Sequence, residues 1–152
     1  MSVGCNRKSR TCLNDALAYA HDRETFGKPL IAHQMIRHKL TEMARKIESH
    51  WAWLEQVAYH IQTSPKGWQD PDVAGRIALL KVSGGKMLEF CAREAQQIMG
   101  GIGYQKGGVG GHVEQITRDL RMMVVGGGSE EILGDLAYRE ELKLAKKRGS
   151  KI

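Results

Sequence analysis

The chain has 152 residues, 41% of them hydrophobic, a length that makes one domain and lets it bury roughly two-thirds of its unfolded surface without cross-links. The three cysteines, Cys5, Cys12 and Cys91, have neither disulfide-framework nor zinc spacing, no run of about 18 apolar residues exists to span a bilayer, and the first eight residues lack the apolar stretch of a signal peptide. The formal net charge is +6, but three basic groups in residues 1–10 and five in 142–152 leave the 131 residues between at −2, so the excess belongs to two tails and makes no nucleic-acid-binding face.

In chain order, Cys5 to His21 reads as a helix through Cys12, Leu13, Ala16, Leu17 and Ala20, beginning so abruptly that its first turns look missing. From Ile36 to Ile61 apolar residues recur at Ile36, Leu40, Met43, Ile47, Trp51, Leu54, Ala58 and Ile61, the pattern of a long bundle helix. Thr63-Ser-Pro-Lys-Gly67 ends it, and Asp70-Pro71 opens the next, with Asp as N-cap and Pro in the first helical position. That third helix keeps Val73, Ile77, Leu80, Met87, Cys91 and Ile98 near one stripe. Gly84-Gly85 within it should cost about 1 kcal/mol each relative to Ala, which close approach of another helix would offset. Gly100 to Gly111 is too rich in glycine for any regular element and reads as a loop. A short helix from about His112 to Met123, three glycines, and a last helix from Ser129 to about Lys146 follow. No β-alternating run of useful length appears. The expected architecture is all-α: an up-and-down four-helix bundle with one short extra helix over residues 1–145, then a basic tail, 146–152.

The joints hold the polar chemistry. Glycines let backbone approach a ligand, and a helix opening at Ser129 offers unpaired N–H groups and a partial positive charge, which suit a phosphate. Taken alone, Gly126–Gly128 equally well only turn the chain while Ser129 caps the helix. Gly101-Ile-Gly103 follows no strand, so a nucleotide-binding α/β fold is excluded. His33 with His38, and His50 with His60, are not spaced as metal pairs, and no Glu-x-x-His occurs.

Four segments taken together resemble a known family: Arg23-Glu-Thr-Phe26-Gly27 with Gln34, Gln97-Ile-Met-Gly100-Gly101-Ile-Gly103-Tyr104, Arg118-Asp119, and Gly126-Gly127-Gly128-Ser129-Glu130-Glu131-Ile132. Their order and spacing are similar to the C-terminal helical domain of the acyl-CoA dehydrogenases, flavoenzymes that oxidise acyl-CoA to trans-2-enoyl-CoA. The resemblance implies a flavin adenine dinucleotide (FAD) site built at these joints, partly across a subunit boundary. Arg23 would meet the pyrophosphate, Phe26 would pack near the flavin, and Gln34 would reach the adenosine side. Gln97, Ile98, Met99, Gly100 and Gly101 would line the adenine end of a neighbouring subunit's cofactor, and Ser129, Glu130 and Glu131 would hold the cofactor's phosphate and ribose region. Arg118 and Asp119 are read as structural.

Desaturation needs a carboxylate to take the α-proton while the flavin accepts hydride. Many family members keep that glutamate where this chain has Gly127. The resemblance is therefore to the subgroup with Gly there, as in long-chain and isovaleryl-type enzymes, whose glutamate counts back to a few residues before Met1. The expectation is a truncated chain, inactive alone, lacking two upstream domains. Implied partners are acyl-CoA, further subunits of a homodimer or homotetramer, and an electron-transferring flavoprotein or oxygen as acceptor, with no nucleic acid and no membrane. Ser150-Lys151-Ile152 is one residue from a peroxisomal address, with mitochondrial or cytoplasmic placement as alternatives. Two other classes are weighed against the enzyme domain: a catalytically dead assembly module and a basic nucleic-acid-binding bundle.

Overall fold

Five helices carry the chain in the computed structural model, which describes residues 1–149: α1 (Ser2–Asp22), α2 (Gln34–Thr63), α3 (Pro71–Met99), α4 (Gly111–Val125) and α5 (Glu130–Lys147). The tripeptide at 150–152 lies outside the described residues. The turn between α2 and α3 follows its sequence signals: Asp70 caps α3 by accepting from the Asp72 N–H at 2.9 Å, Pro71 occupies the first helical position, and the Ser64 hydroxyl donates to Asp70 at 2.5 Å.

Two connections correct the sequence reading. Between α1 and α2, Glu24–Thr25 (β1) pairs antiparallel with Lys28–Pro29 (β2). Two-residue strands are too short to carry a period, so only the Phe26-Gly27 turn could have marked them. Between α3 and α4, the glycine run is not structureless but folds into 3-10 turns at Gly100–Tyr104 and Gly108–Gly110. Gln96 Nε2 donates to the Gly103 carbonyl at 3.1 Å, and the missing side chains let the two turns press together.

α3 is the central rod and packs on α1, α2, α4 and α5. Along α2 the buried line runs Leu40, Met43, Ile47, His50 and Val57, a three-four alternation whose gap after His50 is filled by the half-buried Leu54. The sequence stripe drifted to Trp51 and Ala58, which lie on the flank, because His50 does not look apolar. Leu17 of α1 and Ile77 of α3, also assigned to core stripes, are 38% and 40% exposed. All three cysteines are buried and free. Burial pushes the Cys12 thiol up to about 12 and the Cys91 thiol to about 11, which keeps both protonated and unreactive.

Asn6 and His50 form a buried polar junction of α1, α2 and α3. Asn6 Nδ2 donates to the Ile47 carbonyl at 3.0 Å and to His50 Nδ1 at 3.2 Å. Across the ring, His50 Nε2 donates to the Leu80 carbonyl at 3.3 Å. Because a carbonyl only accepts and the Asn6 amino group only donates here, the ring is neutral with its proton on Nε2. Arg10 Nε donates to Asn6 Oδ1 at 3.1 Å and its guanidinium meets Glu48 at 2.6 Å, carrying the chain of bonds to the surface.

Gly84 is required by that junction, since a Cβ there would stand 2.9 Å from His50 Nε2 and 3.4 Å from Cys5 Cβ. Gly84→Ala gains roughly 1 kcal/mol of helix propensity but displaces a ring held on both sides, an overpacking cost of about 1–3 kcal/mol plus a weakened buried hydrogen bond. A fall in the urea midpoint worth about 2 kcal/mol is expected; an unchanged or raised midpoint would show that the ring is not confined.

Candidate functional site

The singled-out residues gather at the two ends of α1. At its C-terminal end, Arg23, Thr25 and Leu30 meet Ile98, Met99, Gly100 and Gly101 around an open cleft of about 450 Å³, completed by Tyr19, Ile102 and Gln105. The helix ends here because Arg23 leaves for extended backbone, its N–H still bonded to the Tyr19 carbonyl at 2.9 Å. Its own carbonyl accepts from Leu30 N–H at 2.7 Å, closing the hairpin back onto the helix end. The Arg23 guanidinium is exposed and makes no ion pair among the described residues. Across the cleft Ile98 and Met99 form a buried floor, while Gly100 and Gly101 have open space where a Cβ would stand. Gly100 ends α3 with φ +59°, a conformation that side chains rarely adopt.

Three residues assigned to this end do not line the cleft. Phe26 stands at the hairpin tip, 96% exposed, with φ +52°. A bulky residue in the left-handed region costs roughly 1–2 kcal/mol, and its ring stands edge-on to that of His33, centroids 6.1 Å apart. Gln34 is the exposed first residue of α2, and Gln97 faces solvent beside the buried Ile98. The sequence reading in turn assigned no role to Thr25 and Ile102 within the quoted segments and missed Tyr19, Leu30 and Gln105, which carry no motif and join them only when α1 and α3 pack.

The other group lies at the opposite end, where Gly126 and Gly127 sit against the Met1 side chain. Gly127 has φ +72° and Gly128 φ +116°. Ser129 caps α5, its Oγ accepting from the Ile132 N–H at 3.5 Å. The Ser129 hydroxyl, and then the backbone N–H, hold the Glu131 carboxyl below its ordinary range, while Glu130 meets Lys86 at 3.2 Å. Two carboxylates, Glu130 and Glu131, stand in the first turn of α5, so an anion approaching that helix end meets negative charge as well as backbone N–H groups. A hydroxyl-bearing group fits this end better. Arg118 pairs with Glu114 on α4 at 3.1 Å, not with Asp119, which makes it a support of that helix.

With 21 residues in α1, the two groups are about 30 Å apart. That exceeds the reach of a single extended dinucleotide.

Comparison with known proteins bears on this arrangement. A family model described as the acyl-CoA dehydrogenase C-terminal domain matches residues 1–142. The chain is 42% identical over 145 residues to acyl-CoA dehydrogenase AFT10-1 of Alternaria alternata, covering 94% of this chain and 34% of that protein. It is 36% identical over 152 residues to acyl-CoA dehydrogenase apdG of Emericella nidulans, covering 100% of this chain and 35% of that protein. Among solved structures, butyryl-CoA dehydrogenase from Megasphaera elsdenii superposes with a TM-score of 0.78 at 26% identity, over 93% of this chain and 34% of that one. The chain thus spans about a third of the length of the curated relatives it matches.

Proposed function

This chain belongs to the acyl-CoA dehydrogenase family, as its C-terminal helical domain, and from that premise we propose that it contributes to a flavin site assembled from two copies of the chain. The observation that carries the proposal is the separation of the two groups along α1. Paired antiparallel about a two-fold axis, two copies bring the Arg23 end of one to the Ser129 end of the other, twice over. A homodimer, or a tetramer built from such dimers, is the assembly that follows.

The residues present fit FAD. Arg23 supplies for the pyrophosphate an exposed cation with no ion pair among the described residues, and Gly100 and Gly101 leave room for a flat ring against their backbone. Ile98 and Met99 give that ring an apolar floor. Ser129 and Glu131 suit the cofactor's hydroxyls better than its phosphates. Phe26 carries backbone strain that contact with flavin or a second subunit would offset.

In this reading the longer enzyme oxidises acyl-CoA to the trans-2-enoyl thioester, and bound FAD supplies the hydride acceptor. Gly127 offers no proton acceptor, so the base is a carboxylate elsewhere than in this turn. That same glycine favours the second reading, a catalytically inert assembly module. Anaerobic bleaching by acyl-CoA of flavin bound to the longer enzyme separates the two: bleaching rejects the inert module, and its absence at every chain length rejects the dehydrogenase. The peroxisomal address at Ser150-Lys151-Ile152 is also proposed, to be tested by the location of a fluorescent protein fused ahead of the intact C-terminus.

The cofactor proposal is tested by titrating the chain with FAD and following flavin fluorescence alongside mass by light scattering. Arg23→Gln is expected to weaken binding about 10- to 100-fold, the worth of one charge-assisted contact. A chain that binds no flavin at high FAD, or Arg23→Gln binding like the wild type, would reject this assignment.

A further inference from the structure

We propose that Lys81 is a positioning residue: anchored in the central helix, it holds the Gly126–Gly128 turn in the shape that presents Ser129. The inference rests on the flavin reading of that turn and deepens it. Lys81 is half-buried on α3, and its ammonium donates to the Val124 carbonyl and, at 2.5 Å, to the Gly128 carbonyl. Val124 belongs to the last turn of α4, which contains no basic residue of its own. The exposed carbonyls of a helix end carry partial negative charge, and here a cation from another helix meets them. Gly128 lies on the far side of the turn, so one ammonium spans both ends of it.

Such a clamp is needed because of what the turn is made of. Three successive glycines have the largest conformational freedom of any triplet, and Gly127 and Gly128 are both held at positive φ. The turn's own ties are two backbone bonds, Gly126 N–H to the Met122 carbonyl at 2.9 Å and Gly128 N–H to the Val125 carbonyl at 3.2 Å. Neither reaches beyond α4. Lys81 is the bond that refers the turn to the rigid centre of the fold, and the Ser129 hydroxyl follows directly from where the Gly128 carbonyl is fixed.

The test is backbone amide exchange of the full chain, read residue by residue, with FAD titration of the same samples. In Lys81→Met, which keeps the apolar stem and removes the donors, exchange at Gly126, Gly128, Ile132 and Leu133 is expected to quicken about tenfold or more, while the amides of Leu40 to Ile47 keep their rates. Flavin affinity should fall by about the same factor, and Lys81→Arg should restore much of both. Lys81→Gln serves the comparison if the methionine variant does not fold. Unchanged exchange in the turn, an even rise across all helices, or an arginine variant as loose as the methionine one would overturn the inference. A wild-type chain that binds no flavin would remove the flavin reading, and the exchange rates would still decide whether Lys81 holds the turn.

Discussion

Gly110→Ala is expected to be the most damaging single-methyl change in this protein, lowering stability by about 3 kcal/mol or more. A Cβ at Gly110 would stand 1.9 Å from the Ile102 carbonyl oxygen, 2.6 Å from its carbon and 3.1 Å from Gly103 Cα. All three obstacles are backbone, so no rotamer change relieves the clash, and the two 3-10 turns must come apart. Separation would also loosen the bond from Gln96 to the Gly103 carbonyl and shift Ile102, a wall of the cleft. The control is Gly101→Ala, where nothing lies within 4 Å of the added atom. That substitution should move stability by no more than about 0.5 kcal/mol and yet weaken flavin binding if the open space at Gly101 receives the ring. Urea unfolding of the two variants checks the contrast, and equal midpoints would mean that the turns do not press together as described.

Asn6→Leu should cost about 3 kcal/mol although the side chains are close in volume, because it leaves the buried His50 Nδ1 without a donor and takes from the Ile47 carbonyl the bond it accepts beyond its own helix. Arg10 loses its inner partner as well. The same junction sets a pH dependence. Burial is the larger influence on His50 and lowers its proton affinity, the bond to the Leu80 carbonyl partly opposing it. A neutral ring in the fold and an ordinary imidazole in the unfolded chain mean that the unfolded state binds more protons below about pH 6.5. Stability from this group is therefore complete above that pH and falls as the pH drops toward the depressed folded value, by at most about 1.4 kcal/mol per unit. Comparing urea midpoints of wild type and His50→Phe between pH 7.5 and 5.5 isolates the contribution. If both lose stability in parallel, His50 is not its source.

How far these features were readable from residues alone depends on the range of the forces that make them. Helix ends are local: Asp70-Pro71, Ser64 and Ser129 act on backbone within a turn or two, and all three appear as caps or cap partners. Long apolar periodicities are nearly as local, and they mark α1, α2 and α3 as rods, although the buried line on α2 passes through His50 where hydropathy alone turns aside to Trp51. His50 is buried because Asn6 and Leu80, 44 and 30 positions away, satisfy both of its nitrogens. Nothing near it in sequence says so. The hairpin at 24–29 and the 3-10 turns at 100–110 fall in between, their glycines announcing bends without saying what the bends close against.

Residue types and spacing thus determined that the chain makes helices joined by glycine-rich breaks, and the breaks carry the motifs that link it to the acyl-CoA dehydrogenases. Tertiary packing decided which breaks share a site. Arg23 meets Gly100 and Gly101 in one cleft because α1 and α3 lie side by side, and Ser129 is about 30 Å away because α1 is 21 residues long. Covalent order fixes the pitch and length of each rod through hydrogen bonds a few residues apart, whereas the pairing of their ends follows from burial summed over the whole core, which no single segment contains.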